Sequence, residues 1–172
     1  MLLPRPPGGY MRRNVSTLAI GLVATTIAAA IATSCGSSTE PKNKTYISTM
    51  IAANEGAGHT SPGSGVATFV DLGSEIDWSL TLTNMTAVIA SHIHGPAPAG
   101  TNAPVIFNLF IPNGATGTVN GEVMHGSITN ANNANISLDS LRVLFNNGMA
   151  YVNVHTTANP GGEIRDQVHP SN

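Results

Sequence analysis

The sequence predicts an all-β domain, an antiparallel Greek-key β-sandwich of about eight strands with one short helix near residues 138–146. Three observations carry this expectation. Charged residues make up only 9% of the 172 residues, whereas Gly and Pro number 18 and 11; that is a composition of strands joined by turns rather than of long Glu/Lys/Leu helices. Beyond Lys44, apolar residues recur at every second position in short runs bounded by Gly, Pro and Asn. The period changes only once, between Asn135 and Gly148.

In chain order, the first segment reads as a targeting device. Arg12 and Arg13 precede the apolar run "LAIGLVATTIAAAI" (Leu18 to Ile31). This run is shorter than the roughly 20 residues a membrane-spanning helix needs. "ATSC" follows and ends at Cys35, the only cysteine. Residues 1–34 thus resemble a bacterial lipoprotein signal, with Cys35 as the lipidated first residue of the mature chain; the alternative is an ordinary secretory signal cut after a small residue, and either exports the body. Ala32 stands where such signals usually have Leu, and Met11 is an alternative start beside Met1. The expected location is the bacterial cell envelope, with the exported chain held to the membrane through Cys35. Residues 36–44 are a polar tether, so 35–44 form a lipidated linker and 45–170 the folded domain. With one cysteine no internal disulfide forms, and the core alone must hold the fold.

Strands are expected at 45–53, 64–72, 75–83, 87–95, 103–111, 116–128, 149–156 and 162–169. The third alternates most clearly: Ile76, Trp78, Leu80 and Leu82 share one face, while Asp77, Ser79, Thr81 and Thr83 share the other. Pro and Gly at the margins of 103–111 and 116–128 suit edge or turn-bounded strands. In "SLDSLRVLFNNG", Leu138, Leu141, Leu144 and Phe145 fall at helical spacing, with Ser137 as N-cap and Gly148 as C-terminal stop.

The net charge of −2 leaves no basic surface for nucleic acid. No Gly-x-Ser-x-Gly elbow, phosphate loop or His-Glu-x-x-His helix occurs. The residues that stand out are histidines. In "SHIHGPAPAG", His92 and His94 lie on one side of a strand, roughly 7 Å apart at the Cα atoms from a rise of about 3.3 Å per residue. Ile89, Ser91 and Ile93 take the other side; Val88 and Ala90 share the histidine parity and leave the orientation open. In "YVNVHT", Val152 and Val154 share one face and Tyr151, Asn153 and His155 the other. If the two strands are close, His92, His94 and His155 form an open three-nitrogen site suited to copper or zinc. His125 or His59 would be a fourth ligand. The alternative is a metal-free binding or adhesion module in which Glu55, Arg165 and the histidines hold loops by hydrogen bonds. Glu163 and Asp166 flank Arg165, and surface ion pairing with it explains the two carboxylates better than acid–base chemistry does.

Several stretches together resemble the CHRD domain, named from the animal protein chordin and widespread in secreted bacterial proteins. They are "NE" (Asn54, Glu55), "SGVATF", "SHIHGPAPAGTNAPVIFNL" and "LFNNGMAYVNVHTTANPGGEIRDQV". The motif residues Asn54, Glu55, Gly95, Gly161 and Gly162 are expected to be structural. Asp166 departs from the family, which usually has Gly there. A more distant similarity is to copper/zinc superoxide dismutases, also Greek-key sandwiches. These carry a His-x-His, a later histidine, and an arginine after a Gly-rich loop, in the order of His92, His94, His155 and Arg165. That resemblance implies copper on the three histidines and anion guidance by Arg165, with metal handling or superoxide-type redox chemistry as the role. The zinc loop and the paired cysteines of the dismutases have no counterpart, so a two-metal enzyme is not expected. The resemblance names no protein partner.

Overall fold

The computed structural model describes residues 43–171. The proposed signal, Cys35 and most of the tether lie outside them. Among the described residues no helix is long and apolar enough to cross a membrane.

Among the described residues, nine strands form two antiparallel sheets. Their order along the chain is β1 (Lys44–Met50), β2 (Ser64–Asp71), β3 (Ile76–Thr86), β4 (Val88–His94), β5 (Val105–Phe110), β6 (Thr118–Ile128), β7 (Tyr151–Thr156), β8 (Ile164–Gln167) and β9 (His169–Pro170). One sheet runs β6-β3-β2-β1-β9 and the other β5-β4-β7-β8. The chain crosses between sheets after β3 and returns after β5, so that β6 lies beside β3; β7 then returns beside β4. These interlocked returns are Greek-key connections. The fold is all-β and sandwich-like, as the sequence predicts.

Alternation produces this packing. Ile76, Trp78, Leu80 and Leu82 on β3 are buried, as are Ala67 and Phe69 on β2 and Tyr46 and Met50 on β1. Val152, Val154, Ile93 and Ile164 face them from the second sheet and join the same core. β5 and β6, the two strands with Pro and Gly margins, are both sheet edges.

The helix α1 spans Leu138–Asn146 and buries Leu138, Leu141 and Phe145. Ser137 caps it by accepting the Ser140 N–H at 3.2 Å. At the other end Gly148 takes φ +61 and Met149 N–H reaches back to the Leu144 carbonyl at 2.9 Å. That left-handed turn and its 6→1 bond form a Schellman ending. Phe145 packs on Phe69 and Tyr46, with ring centroids 4.9 and 5.3 Å away.

Several strand ends shift by one to three residues from the sequence reading, and two differences change the path of the chain. The first strand stops at Met50, because Ile51 bridges to Arg165 and Ala52–Asn54 close into a short 3-10 turn. The last expected strand, 162–169, is two. β8 pairs with β7, then fully buried Val168 turns the chain, and His169–Pro170 pair with β1 in the opposite sheet. Hydrophobic pattern does not show this change, because Val168 serves the core between the sheets from either side.

Candidate metal centre

β4 and β7 are antiparallel neighbours at the middle of the second sheet, with Ala90 opposite His155, His92 opposite Asn153 and His94 opposite Tyr151. Period-two alternation therefore sends His92, His94 and His155 to the same outer surface. Val88 shares the histidine parity in sequence yet is buried in the core. The register shift between Val88 and Ala90 accounts for it, since one extra residue resets the alternation before the histidines.

Each histidine can offer one nitrogen to a common point, and these atoms all lie within 4.8 Å of one another. His92 Nδ1 is 3.1 Å from His155 Nε2. Ligand nitrogens around a tetrahedral zinc, each about 2.0–2.1 Å from the metal, stand about 3.3 Å apart. The cluster would thus need to contract by about 1.5 Å at its widest, within reach of small side-chain rotations.

Backbone carbonyls set two of the three rings. His94 Nδ1 lies 2.9 Å from the Ala103 carbonyl and His155 Nδ1 2.9 Å from the Pro160 carbonyl. A carbonyl only accepts, so each of these nitrogens carries the proton and each Nε2 is left as a lone pair. The Nε2 of His94 is buried and has no hydrogen-bond partner. Outer carbonyls that orient ligand histidines in this way are a regular feature of metal sites.

Electrostatics also favour neutral imidazoles. Burial is the main cause that lowers the pKa of all three rings. It takes His92 to about 4, helped by the neighbouring charges of His155 and His94. His94 and His155 are lowered as well, with their carbonyl partners working in the opposite direction. Near neutral pH the rings are therefore neutral, the form that binds metal.

The surroundings are built by β8 and two loops. Tyr151 stacks on His94, the planes 3° apart and the centroids 4.8 Å apart. Arg165 covers the Tyr151 ring with its guanidinium carbon 3.6 Å from the centroid. Arg165 is 2% exposed, although it forms part of the wall of a shallow cavity of about 330 Å³ with Asn54, Ala99, Gly100, Asp166 and Gln167. Its Nη1 and Nη2 donate to Asn102 Oδ1 and the Thr101 carbonyl, each at 3.0 Å.

The expected pairing of Arg165 with Glu163 and Asp166 does not occur; among the described residues Arg165 makes no salt bridge. Asp166 is its strand neighbour and faces the other way. There it accepts the Thr49 N–H at 3.1 Å and the Asn54 amide at 3.0 Å, tying the 3-10 turn to β8. Glu163 precedes the strand and is held by Ser61 and Thr156 at 2.5 Å each and by Asn159 at 3.1 Å.

The motif residues Glu55, Gly95, Gly161 and Gly162 differ in their surroundings. Asn153 donates to Glu55. Gly162, at φ +135, passes so close that a Cβ there would meet the Asn153 amide nitrogen and Glu55 Oε1 at 2.5 Å. Burial raises the Glu55 pKa, offset in part by the charges of Arg165 and His59 and by the Asn153 bond. Gly95 is buried against Leu144 and the Met149 carbonyl, whereas Gly161 is exposed with open space where a Cβ would stand.

His59 and His125 are not brought into the cluster. His59 lines a separate cavity with Glu55, Asn102 and Pro160. His125 lies on β6 in the other sheet, exposed and paired with Glu122 at 2.7 Å. Two contributors escape sequence reasoning. Tyr151 shares the parity of His155, a usable signal, but Ala103 acts through its backbone and has no residue-type signature.

A protein-family model, that of the CHRD domain, matches residues 46–168. The chain belongs to the CHRD domain family. The match spans β1 to the turn before β9 and so takes in the three histidines, Tyr151 and Arg165. No curated protein and no solved structure matches the chain at a significant level.

Proposed function

We propose that this CHRD domain is a transition-metal site of the bacterial cell envelope, with copper held by His92, His94 and His155. The observation that carries the reading is the convergence of three neutral imidazoles, each with one ring nitrogen within 4.8 Å of the others', two of the rings oriented by backbone carbonyls. All-nitrogen, carboxylate-free ligation suits copper and zinc, and copper binds such donors more tightly. Metal handling is the role this site would serve. Export and membrane attachment through lipidated Cys35 place it outside the cytoplasm in this reading. Three protein ligands leave a coordination position for an exogenous molecule, and that position is where superoxide-type chemistry would occur.

The test uses residues 36–172, loaded with copper and followed by bound-metal content and electron paramagnetic resonance. Wild type should retain one equivalent with a nitrogen-rich spectrum, and the His92→Ala/His94→Ala variant should not. Equal uptake by both would overturn the metal reading. The histidines would then hold the Ala103 and Pro160 loops by hydrogen bonds alone, as the 2.9 Å contacts already allow. Radiolabelled lipid incorporation into the full chain, lost in Cys35→Ala, tests the anchor.

A further inference from the structure

A buried guanidinium that makes no salt bridge among the described residues needs an explanation, since buried charges are ordinarily paired. Arg165 is such a group, and both of its hydrogen bonds go to neutral acceptors on one loop. That loop connects β4 to β5. Gln167, two residues along β8, donates to the Ala97 carbonyl at 3.0 Å and secures its start. Arg165 secures its end at Thr101 and Asn102, which are otherwise exposed. The next residue, Ala103, uses both backbone groups on the site: its N–H donates to Tyr151 Oη at 3.1 Å, and its carbonyl accepts from His94 Nδ1 at 2.9 Å. Tyr151 in turn lies against both Arg165 and His94.

We propose that Arg165 is a positioning residue: by strapping Thr101 and Asn102 to β8 it holds the Ala103 carbonyl on His94 Nδ1. The His94 proton is thereby fixed on Nδ1, and the buried lone pair of Nε2 is kept turned toward His92 and His155. The consequence for metal affinity rests on the metal reading above; the consequence for the His94 tautomer does not. This role differs from anion guidance, which needs a guanidinium open to the solvent rather than closed under a loop.

The experiment compares wild type, Arg165→Ala, Arg165→Lys and Asn102→Ala as residues 36–172. The ring nitrogens of His94 are read by ¹⁵N NMR in the metal-free protein, and zinc affinity is read by chelator competition. Wild type should show His94 protonated at Nδ1 alone. Arg165→Ala should show both tautomers and a loss of zinc affinity of about 10- to 100-fold, the usual range for an outer-sphere partner. Lys offers one donor centre in place of a planar fork, so Arg165→Lys should fall between them. Asn102→Ala alters only an exposed acceptor and preserves the core; it should shift the tautomer partially and decides the matter if Arg165→Ala does not fold. An unchanged His94 tautomer in folded Arg165→Ala, or in Asn102→Ala when Arg165→Ala does not fold, would overturn the proposal. Wild type that takes up neither zinc nor copper would refute the metal reading while leaving the tautomer comparison to judge the strap.

Discussion

Proton competition offers a sharp measure of the candidate metal centre. Zinc and protons contend for the same imidazole nitrogens, so apparent affinity falls as the rings protonate. An ordinary histidine has a pKa near 6.5, and at about pH 5.5 such a ring is only about 9% neutral. Three ordinary rings acting together would therefore weaken zinc binding about 600-fold between about pH 7 and pH 5.5. In this structure His92 is held at about 4 by burial and by its two imidazole neighbours, and it stays almost wholly neutral throughout that interval. Only His94 and His155 can compete, which limits the loss to about 70-fold even if both titrated normally. Burial lowers both of them, so the observed loss should be smaller still. Chelator competition at the two pH values measures it, with circular dichroism confirming that the domain stays folded. A loss near 600-fold, with three protons taken up for each zinc released, would show that the rings titrate as solvent-exposed imidazoles and would refute the electrostatic reasoning.

Three further outcomes follow from the same geometry. In the metal-free protein, His92 is neutral when folded down to about pH 4 but takes its proton near 6.5 when unfolded, so the unfolded chain binds more protons in that window. Its contribution to stability is therefore complete above 6.5 and lost as pH falls toward 4, and His92→Gln should flatten the rise in urea midpoint across the window. Gly162→Ala should cost about 1–3 kcal/mol through its positive φ and its clash with Asn153 and Glu55, whereas Gly161→Ala, with open space around it, should leave the melting temperature nearly unchanged. Arg142 donates from Nε and Nη2 to both Asp71 oxygens at 2.8 Å, clamping α1 to β2 and lowering the Asp71 pKa chiefly through that bond. Arg142→Lys should lose about 1–2 kcal/mol in urea unfolding, because an ammonium cannot make the two-pronged contact, and full retention of stability would argue against the clamp.

Legibility from sequence followed the range of the forces involved. The alternation of β3 and the helix from Leu138 to Asn146 with its Ser137 cap are short-range patterns, and they stand in the structure as the residues predict. The parity of His92 and His94, and separately of His155, is equally local. Their meeting is not local: it depends on β4 and β7 becoming neighbours although some sixty residues, two sheet crossings and a helix separate them along the chain. The resemblance to the CHRD family carried the site as a signature, and register converted that signature into a distance.

What the amino-acid sequence determined by itself was the alternation of most strands and the place of most turns, and hence a two-sheet sandwich with His92 and His94 on one side of their strand. Tertiary structure alone decided the rest. It split the final strand between sheets at Val168, excluded His59 and His125 from the cluster, and turned Asp166 toward Thr49 and Asn54. It also placed Arg165 under a loop rather than in an ion pair. The physical reason is common to all four. Each depends on which backbone carbonyls, amides and side chains arrive beside a residue from distant parts of the chain, and such partners leave no pattern in its immediate neighbours.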